Sequence, residues 1–316
     1  MDPVDSVLTT MKVENSWYVR VHAQAPWGIT FDTAIQARLV IISRGTCWLT
    51  SDTMREPQKL SAGDGFIVQA DTEFSLQDEL YRGTVHCDRV FANAVGHTAK
   101  WGGDGEATEI ISGRFSFDET AAEPLFAVLP PVLRLNLDDA TASVLRATLE
   151  LMALETLEGG IGSNLITSRL ADVLFVQALR AWCNSDGGAT IGWLAALRDP
   201  QLAAAMEALH GDLSRPWTVA GLAREAGLSR STFAAAFKTR TGQTPLGYLT
   251  SWRMYRAKTY LADSQLSLLE IAVRVGYHND TALSRAFQRH VGVAPGTWRK
   301  RARSKATALA LRSGSS

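Results

Sequence analysis

Short apolar runs separated by turn residues dominate roughly the first 120 residues of the chain. The runs include ARLVIIS, TCWLTS, GFIVQA and TEFSLQ, and Gly or Asp stands between several of them. Runs of roughly four to seven residues that are wholly apolar, or that alternate with polar residues, are typical of β-strands. This part of the chain is therefore predicted to form an all-β barrel or sandwich.

The spacing of the apolar positions becomes helical from Asp138 onward. Two helices are predicted, one capped by Asp138 or Asp139 and the next by Ser163, with a Gly-rich turn at 159–162 between them. Their apolar stripes consist of Leu145, Leu149, Met152, Leu170, Leu174 and Leu179. The stripes either pack against the β-domain or contact a second subunit, and the pattern leaves both open. Residues 184–192 have the composition of a flexible linker.

An internal repeat occupies much of the last third of the chain, where residues 219–249 align with residues 268–298. Gly227 and Gly276 lie 49 residues apart, and Phe237 and Phe287 lie 50 residues apart. Each copy reads as a helix, a glycine turn and a second helix held to its core by an apolar face, which is Phe233 with Phe237 in the first copy. These features are typical of a helix-turn-helix unit.

The segment between the two copies is predicted to be one long helix of roughly 16 residues, about 24 Å at 1.5 Å per residue. Pro245 suits its first turn. Such a helix would hold two recognition helices near one turn of DNA apart, about 34 Å. Ser229 is the expected N-cap of the first recognition helix, and Asn279 or Asp280 that of the second.

The formal net charge of zero conceals a division along the chain. Residues 1–190 carry 14 basic and 25 acidic side chains, a net of −11, whereas residues 191–316 carry 18 basic and 7 acidic ones, a net of +11. A basic half indicates a polyanionic partner. An acidic and a basic domain that attract each other would give the same division, so charge alone does not choose between these readings.

Motifs in both halves resemble the AraC family of bacterial transcription regulators. From Trp217 to about Lys300 the resemblance rests on LAREAGLSRSTF, GQTPLGYL, WRMYRAK, EIAVRVGYHND and GVAPGTWRK. From about Met11 to Leu137, PWGITF, RGTCWL, LSAGDGFIV and ISGRFSFDE resemble the cupin-like domain of one branch of that family. The resemblance implies a one-component regulator that binds double-stranded DNA, responds to a small molecule in its barrel and usually acts as an activator. Its expected partners also include RNA polymerase and a second copy of the chain as a homodimer.

The predicted fold class is a multidomain α+β chain. A cupin-like β-barrel is expected over residues 1–137, a helical segment that is a candidate for dimerisation over 138–183, and a linker over 184–198. An all-α DNA-binding domain follows over 199–305, with helix-turn-helix motifs at about 218–238 and 267–289 on either side of a linker helix at about 246–262. Residues 306–316 form a tail.

The predicted DNA-contacting side chains lie on the second helix of each repeat. The first helix presents Ser231, Ala234, Ala235 and Lys238 to the groove. Alanine makes no bidentate hydrogen bond to a base, although its methyl can touch thymine, so Arg230, Lys238 and Arg240 would supply mainly phosphate contacts.

The second helix presents Asp280, Thr281, Ser284 and Arg285. Arg285 is the candidate guanine reader, and Asn279 or Thr281 a further base or phosphate contact. A phosphate contact or an intramolecular ion pair is the alternative role of Arg285.

A small-molecule pocket inside the barrel would be lined by large side chains from several strands. The candidates are Trp27, Phe31, Arg38, Trp48, Phe66 and Phe74. Most of them are also ordinary core residues by type. Arg38 differs, because a charged residue among apolar neighbours either meets an anionic ligand or lies on the outer face of its strand.

Neither a metal site nor an enzyme is predicted. Metal-dependent cupins have clustered His and Glu ligands on strands, but no His occurs near Arg38 or in the stretch directly after Gly63 and Asp64. His86 and Cys87 are adjacent, so in a strand they would point to opposite faces. No cofactor is expected, and the three cysteines lack disulfide or metal-type spacing.

Without a signal peptide or apolar span, a cytoplasmic protein is expected. The alternatives are a cupin-type metalloenzyme with an accessory nucleic-acid-binding domain and an effector-independent regulator.

Overall fold

The computed structural model describes residues 13–32, 37–117, 119–135, 139–158, 160–184 and 192–313. Within these residues the chain forms two compact units. The N-terminal unit takes the described parts of Met11–Asp118 and Leu129–Ala189, and the C-terminal unit takes those of Glu119–Val128 and Thr190–Ser316. A short segment from the middle of the sequence therefore belongs to the C-terminal unit.

The N-terminal unit contains two β-sheets. The strands are β1 (Val13–Gln24), β2 (Gly28–Phe31), β3 (Ala37–Arg44), β4 (Thr46–Thr50), β5 (Gln58–Ser61), β6 (Gly65–Gln69), β7 (Phe74–Gln77), β8 (Val85–His86), β9 (Thr98–Gly102), β10 (Ala107–Phe117) and β11 (Val132–Leu135). The six-stranded sheet has the order β11-β6-β3-β10-β1-β9, and the five-stranded sheet has the order β5-β4-β7-β2-β8. Most neighbouring strands are antiparallel, but β2 and β8 run parallel, with Thr30 opposite His86.

The prediction of a closed barrel was wrong. Among the described strands no hydrogen-bonded ladder joins one sheet to the other, so the two sheets pack face to face over a shared apolar core. Aromatic rings fill part of that core: Phe31 stacks on Phe74 at 4.8 Å between centroids, and Phe66 meets Phe74 edge-on at 5.4 Å. The apolar pattern of a strand specifies which face is buried and not which strand lies at each edge, so it does not distinguish a sandwich from a barrel.

Three helices complete the N-terminal unit: α1 (Cys87–Phe91), α3 (Asp139–Glu158) and α4 (Ser163–Asn184). The predicted stripes of α3 and α4 are buried at Leu145, Leu149, Met152, Leu174 and Leu179, and half-buried at Leu170. Phe175 packs on Phe117 with 4.8 Å between ring centroids. The stripes therefore serve at least in part as core within one chain.

The C-terminal unit is helical. Its helices are α2 (Glu119–Phe126), α5 (Trp193–Ala196), α6 (Pro200–Gly211), α7 (Val219–Glu225), α8 (Arg230–Thr241), α9 (Pro245–Asp263), α10 (Leu268–Arg274), α11 (Asp280–Val291) and α12 (Pro295–Ser313). Side-chain caps explain where six of them begin, because each cap oxygen accepts a backbone N–H of the first turn. The caps are Asp199, Thr218, Ser229, Thr244, Ser267 and Asn279.

Helix α9 has 19 residues, which corresponds to about 28 Å, and it contributes to two cores. Toward its N-terminus, Trp252 packs edge-on against His210 at 4.4 Å and Trp193 at 5.8 Å between centroids. Toward its C-terminus, an apolar cluster joins Met254 and Leu261 to α10 and α11. Tyr248 of α9 also meets Phe237 of α8 edge-on at 5.4 Å between centroids, so one helix contacts both α8 and α11 through buried side chains.

Helix α2 also packs on this framework. Lys258 of α9 forms an ion pair with Glu123 at 2.7 Å, and the indole N–H of Trp193 donates to the carbonyl of Pro124 at 3.0 Å. Residues 119–128 therefore belong structurally with the helical unit, although in the sequence they lie between the two parts of the N-terminal unit.

Candidate nucleic-acid interface and ligand sites

Helix α8 is anchored on one face and open on the other. Ser229 accepts the backbone N–H of Thr232 at 3.2 Å, and Phe233 and Phe237 are fully buried. The exposed side carries Arg230, Ser231, Ala235, Lys238 and Arg240. Ala234 and Ala236 are both half-buried, so Ala235 is the outermost of the three alanines. The exposed face of this helix therefore has a shallow, uncharged centre with cations at its ends.

Helix α11 is anchored in the same way. Asn279 caps it by accepting the N–H of Ala282 at 2.7 Å, and Asp280 accepts the N–H of Thr281 at 2.7 Å. Leu283 and Phe287 are buried. Because their oxygens hold the helix N-terminus, Asn279 and Asp280 have fewer free groups for a base than the sequence suggested.

Arg285 is a cation on α11 whose side chain has no intramolecular partner among the described residues. Its side chain is exposed, and within the described residues it makes neither a hydrogen bond nor an ion pair. The intramolecular ion pair considered as its alternative role therefore does not form, which leaves a base or a phosphate. Thr281 is exposed one turn earlier and Ser284 is half-buried beside it.

Sequence reasoning missed a second exposed cation, Arg289, one turn beyond Arg285 on the same helix. The i, i+4 spacing of two arginines on a helix with a buried opposite face is the signal that could have identified it. Together the exposed faces of α8 and α11 carry five cations, Arg230, Lys238, Arg240, Arg285 and Arg289, against one carboxylate, Asp280. Such a charge distribution suits a polyanion.

The glycine turn before α11 is tightly enclosed. Gly276 has φ +82°, and a Cβ there would lie 2.5 Å from Arg253 Nη2 and 2.7 Å from the carbonyl oxygen of Ser214. Arg253 is itself held in place, because it donates to the carbonyls of Leu213 and Arg215 at 2.9 Å each. Gly227, at the matching position before α8, has φ +65° but open space around it.

The predicted ligand residues do not all gather at one place. Phe31, Phe66 and Phe74 are fully buried against one another, while Trp48 is half-buried. Trp27 lines a cleft of about 630 Å³. The other cleft residues that bear on a ligand are Arg82, Lys100 and Trp101, which the sequence analysis did not single out.

This cleft combines aromatic walls with positive charge. The indole nitrogen of Trp27 is buried without a hydrogen-bond partner. Lys100 is exposed, whereas Arg82 already pairs with Asp78 at 2.5 Å and Glu79 at 2.7 Å. The cleft can therefore hold a planar apolar group and one negative charge.

Arg38 lies inside the sandwich, so the alternative that it sits on an outer face was wrong. It is fully buried, donates to Ser112 Oγ at 3.1 Å, and places its guanidinium 5.1 Å from the centroid of Phe31. Its Nε and Nη2 are buried and have no hydrogen-bond partner among the described residues. Burial lowers the pKa of Arg38 to about 10, which still leaves it charged at neutral pH.

The interpretation of His86 and Cys87 as a strand pair with opposite orientations was also wrong. Strand β8 ends at His86 and helix α1 begins at Cys87, so the two-residue alternation of a strand does not apply. The His86 ring, the Cys87 sulfur and the Asp32 carboxylate come together, with their ligand-type atoms all within 4.8 Å of one another.

Both parts of the chain match known protein families. A family model described as "Cupin" matches residues 2–184, and one described as "Helix-turn-helix domain" matches residues 222–301. The chain is 37% identical over 300 residues to an AraC-like transcription regulator of Streptomyces lividans, covering 95% of this chain and 98% of that protein. A protein of the same description from Streptomyces antibioticus is 36% identical over 300 residues, covering 95% and 99%. The transcriptional regulator AlkR of Acinetobacter baylyi is 27% identical over 312 residues, covering 95% and 99%.

Among solved structures, the DNA-binding domain of AdpA in complex with a target DNA is 33% identical. The match covers 34% of this chain and 96% of that domain, with a TM-score of 0.32.

Within the described residues no helix combines the length and apolar character that crossing a bilayer requires. All three relatives named above are described as transcription regulators. The chain belongs to the AraC family of DNA-binding transcription regulators and joins a cupin-type N-terminal domain to an AraC-type helix-turn-helix domain.

Proposed function

We propose that this regulator reads its operator with α8 and α11 and activates transcription under the control of a small molecule bound in the N-terminal unit. The observation that carries the DNA-reading part is the pair of capped helices whose buried faces are aromatic and whose exposed faces are basic. Such helices enter the major groove with their exposed side chains toward the base edges.

The two helices read DNA unequally. Arg285 is the base reader, because it is exposed, uncommitted and able to donate two hydrogen bonds to guanine O6 and N7. Helix α8 presents Ala235 at its centre, so it contributes shape complementarity and contact with thymine methyls. Its Arg230, Lys238 and Arg240, with Arg289 on α11, contact phosphates.

The small-molecule site is the cleft beside Trp27. An aromatic ligand with one carboxylate or similar anionic group would lie against Trp101, with the buried Trp27 in the wall of the cleft, and place its charge near Lys100. The ligand alters DNA affinity only to the extent that it binds the DNA-competent arrangement more tightly than the other arrangement.

Dimerisation through α3 and α4 is supported by their outward faces. These helices bury one stripe on their own unit, yet they expose large apolar side chains elsewhere: Val144, Leu151, Leu154, Leu165, Ile166 and Val173. Exposed apolar residues concentrated on two adjacent helices are typical of an interface with another chain. A second copy of the chain is the proposed occupant, and it would bring two DNA-binding units to one operator.

The first experiment is selection of bound sequences from a random DNA pool with the full chain. The full chain is needed because residues 119–128 pack with the helical unit and a shorter fragment would lack them. The expected result is a guanine-containing block and a looser thymine-rich block about ten base pairs away, one helical turn of DNA. Enrichment of no sequence at moderate salt would refute sequence reading by these helices.

Transcription in vitro tests the regulatory part of the proposal. A template carrying the selected site upstream of a weak promoter should give more transcript with RNA polymerase and the regulator than with polymerase alone. Less transcript would show repression instead, without affecting the DNA-reading proposal.

A further inference from the structure

We propose that Asp32, His86 and Cys87 form a binding site for a divalent transition-metal ion of the zinc class. Neither the family relationship nor the DNA-binding helices require this site, and none of its three residues lines the cleft described above. It brings together one oxygen, one nitrogen and one sulfur donor from two points of the chain.

Strand pairing assembles the three donors. Asp32 directly follows β2, and β8 runs parallel to β2 with His86 opposite Thr30, so the carboxylate and the imidazole project from adjacent strand ends. Cys87 is the next residue and opens α1. His86 Nε2 lies 3.3 Å from Asp32 Oδ2, and all three ligand atoms lie within 4.8 Å of one another.

These separations are close to those of a zinc site. Zinc binds oxygen, nitrogen and sulfur at about 2.0–2.3 Å, so tetrahedral ligands lie about 3.3–3.8 Å from each other. The histidine–carboxylate pair already has this spacing, and the sulfur would need to approach by about 1.5 Å at most. Asp32 and His86 have side chains 58% and 44% exposed, so an ion can reach these two donors from solvent, while the buried Cys87 supplies the inner donor.

The groups around the donors suit a bound cation. Asp88 Oδ2 lies 3.4 Å from His86 Nδ1, which in this structure accepts the backbone N–H of Asp88 at 3.3 Å. When Nε2 binds a metal, Nδ1 has to carry the proton, so this backbone bond would give way to a hydrogen bond from Nδ1 to the Asp88 carboxylate. Such carboxylate–histidine pairs orient most metal-bound histidines. The backbone N–H of Asp32 donates to the sulfur of Cys87, which stabilises a thiolate in the same place.

The local charges also favour a bound cation. Arg38 is buried close enough to interact electrostatically with Cys87, Asp32 and Asp88, and with the second cation Arg114. With Cys87 as a thiolate, the three negative groups outnumber the two arginines, so a cation bound between the donors would offset the excess negative charge. Burial raises the pKa of the Cys87 thiol, so binding must displace a proton from it.

The donor set selects the class of metal. A thiolate and an imidazole are poor ligands for calcium or magnesium, which prefer oxygen donors, whereas mixed sulfur and nitrogen donors in near-tetrahedral spacing suit zinc.

Cobalt(II) titration of the full chain, stripped of metal with a chelator, tests the site, because thiolate ligation gives cobalt a near-ultraviolet charge-transfer band. One Co²⁺ per chain should bind with this band, and Zn²⁺ should displace it. Cys87→Ser should abolish the band, while Asp32→Asn and His86→Gln should weaken binding at least tenfold. Asp88→Asn should weaken it about tenfold, the usual effect of removing the group that orients a metal-bound histidine.

Two matched variants serve as controls. His22 forms a similar exposed pair with Glu109, 3.5 Å from Nδ1 to Oε1, and His22→Gln should bind cobalt like the native chain. Cys183→Ser should also leave the band unchanged. The proposal is overturned if the native chain shows no saturable binding with a charge-transfer band, or if Cys87→Ser keeps the band. If Cys87→Ser does not fold, Asp32→Asn and His86→Gln decide, since both residues are exposed, and native-like cobalt binding by both rejects the site.

Discussion

Replacement of Gly276 by alanine should destabilise the protein much more than the same change at Gly227. Both glycines have positive φ, +82° and +65°, and both form the turn of a helix-turn-helix copy. A left-handed conformation costs a residue with a Cβ about 1–2 kcal/mol. That cost applies equally at the two positions, so the difference between them must come from their surroundings.

The surroundings of Gly276 add a second cost. Its new Cβ would lie 2.5 Å from Arg253 Nη2 and 2.7 Å from the Ser214 carbonyl oxygen, and the carbonyl cannot swing away as a side chain could. Displacing the guanidinium would break its hydrogen bonds to Leu213 and Arg215, each worth about 0.5–1.5 kcal/mol. Gly276→Ala should therefore cost about 2–5 kcal/mol, against about 1–2 kcal/mol for Gly227→Ala, which meets no neighbour within 4 Å.

Urea denaturation of the full chain, followed by far-ultraviolet circular dichroism, measures both costs. The transition of the helical unit should move to lower urea in both variants and further in Gly276→Ala, with an unchanged slope. Combining Gly276→Ala with Arg253→Ala should cost less than the sum of the two single changes, because the pair shares one contact. Equal destabilisation by the two glycine variants would refute the enclosed turn before α11.

The remaining predictions concern DNA, the cleft, the oligomer and pH. Arg285→Ala should cost about 1–3 kcal/mol of binding free energy and relax preference at one guanine; a loss equal on all sequences in a binding-selection assay would make it a phosphate contact. Aromatic carboxylates that raise the melting temperature of the native chain should lose this effect in Trp101→Ala, and an unchanged shift would place their site elsewhere. Leu165→Glu, which puts a charge on an exposed apolar position, should halve the mass measured by light scattering, whereas an unchanged mass would exclude this face as the interface. Burial lowers the pKa of His210 to about 3, so stability that is fully present above the unfolded pKa of about 6.5 should be lost as pH falls toward 3. His210→Gln should flatten that acid dependence in denaturation midpoints, although it also removes the bond to Tyr248.

Features of the helical unit that depend on local interactions could be predicted well. The caps Ser229 and Asn279 and the inward faces of Phe233 and Phe237 follow from side chains within one or two turns of each other. The family assignment from the motifs of both halves was confirmed, as was the conclusion that the protein is a regulator and not an enzyme. Such agreement is expected where the relevant contacts are close in sequence.

The predictions that failed concern the order of strands in the sheets, which depends on contacts distant in sequence, and the point at which one strand ends. Alternating apolar residues predicted strands, but the open edges of the two sheets result from strand order, which no single strand encodes. The interpretation of His86 and Cys87 failed because it assumed that the strand continued beyond His86. The cleft residues Lys100 and Trp101 lay in a segment without any recognised motif.

The sequence by itself determined the helices of the two repeats with their caps, the glycine turns and the division of charge, since each depends on short-range chemistry or on composition. Only the tertiary structure decided that residues 119–128 belong with the helical unit, that Arg38 is buried between the sheets, and that Asp32 meets His86 and Cys87. The physical reason is the same in each case. Residues far apart in the chain meet only through strand pairing and core packing, and these minimise the free energy of the whole unit and not that of any one segment.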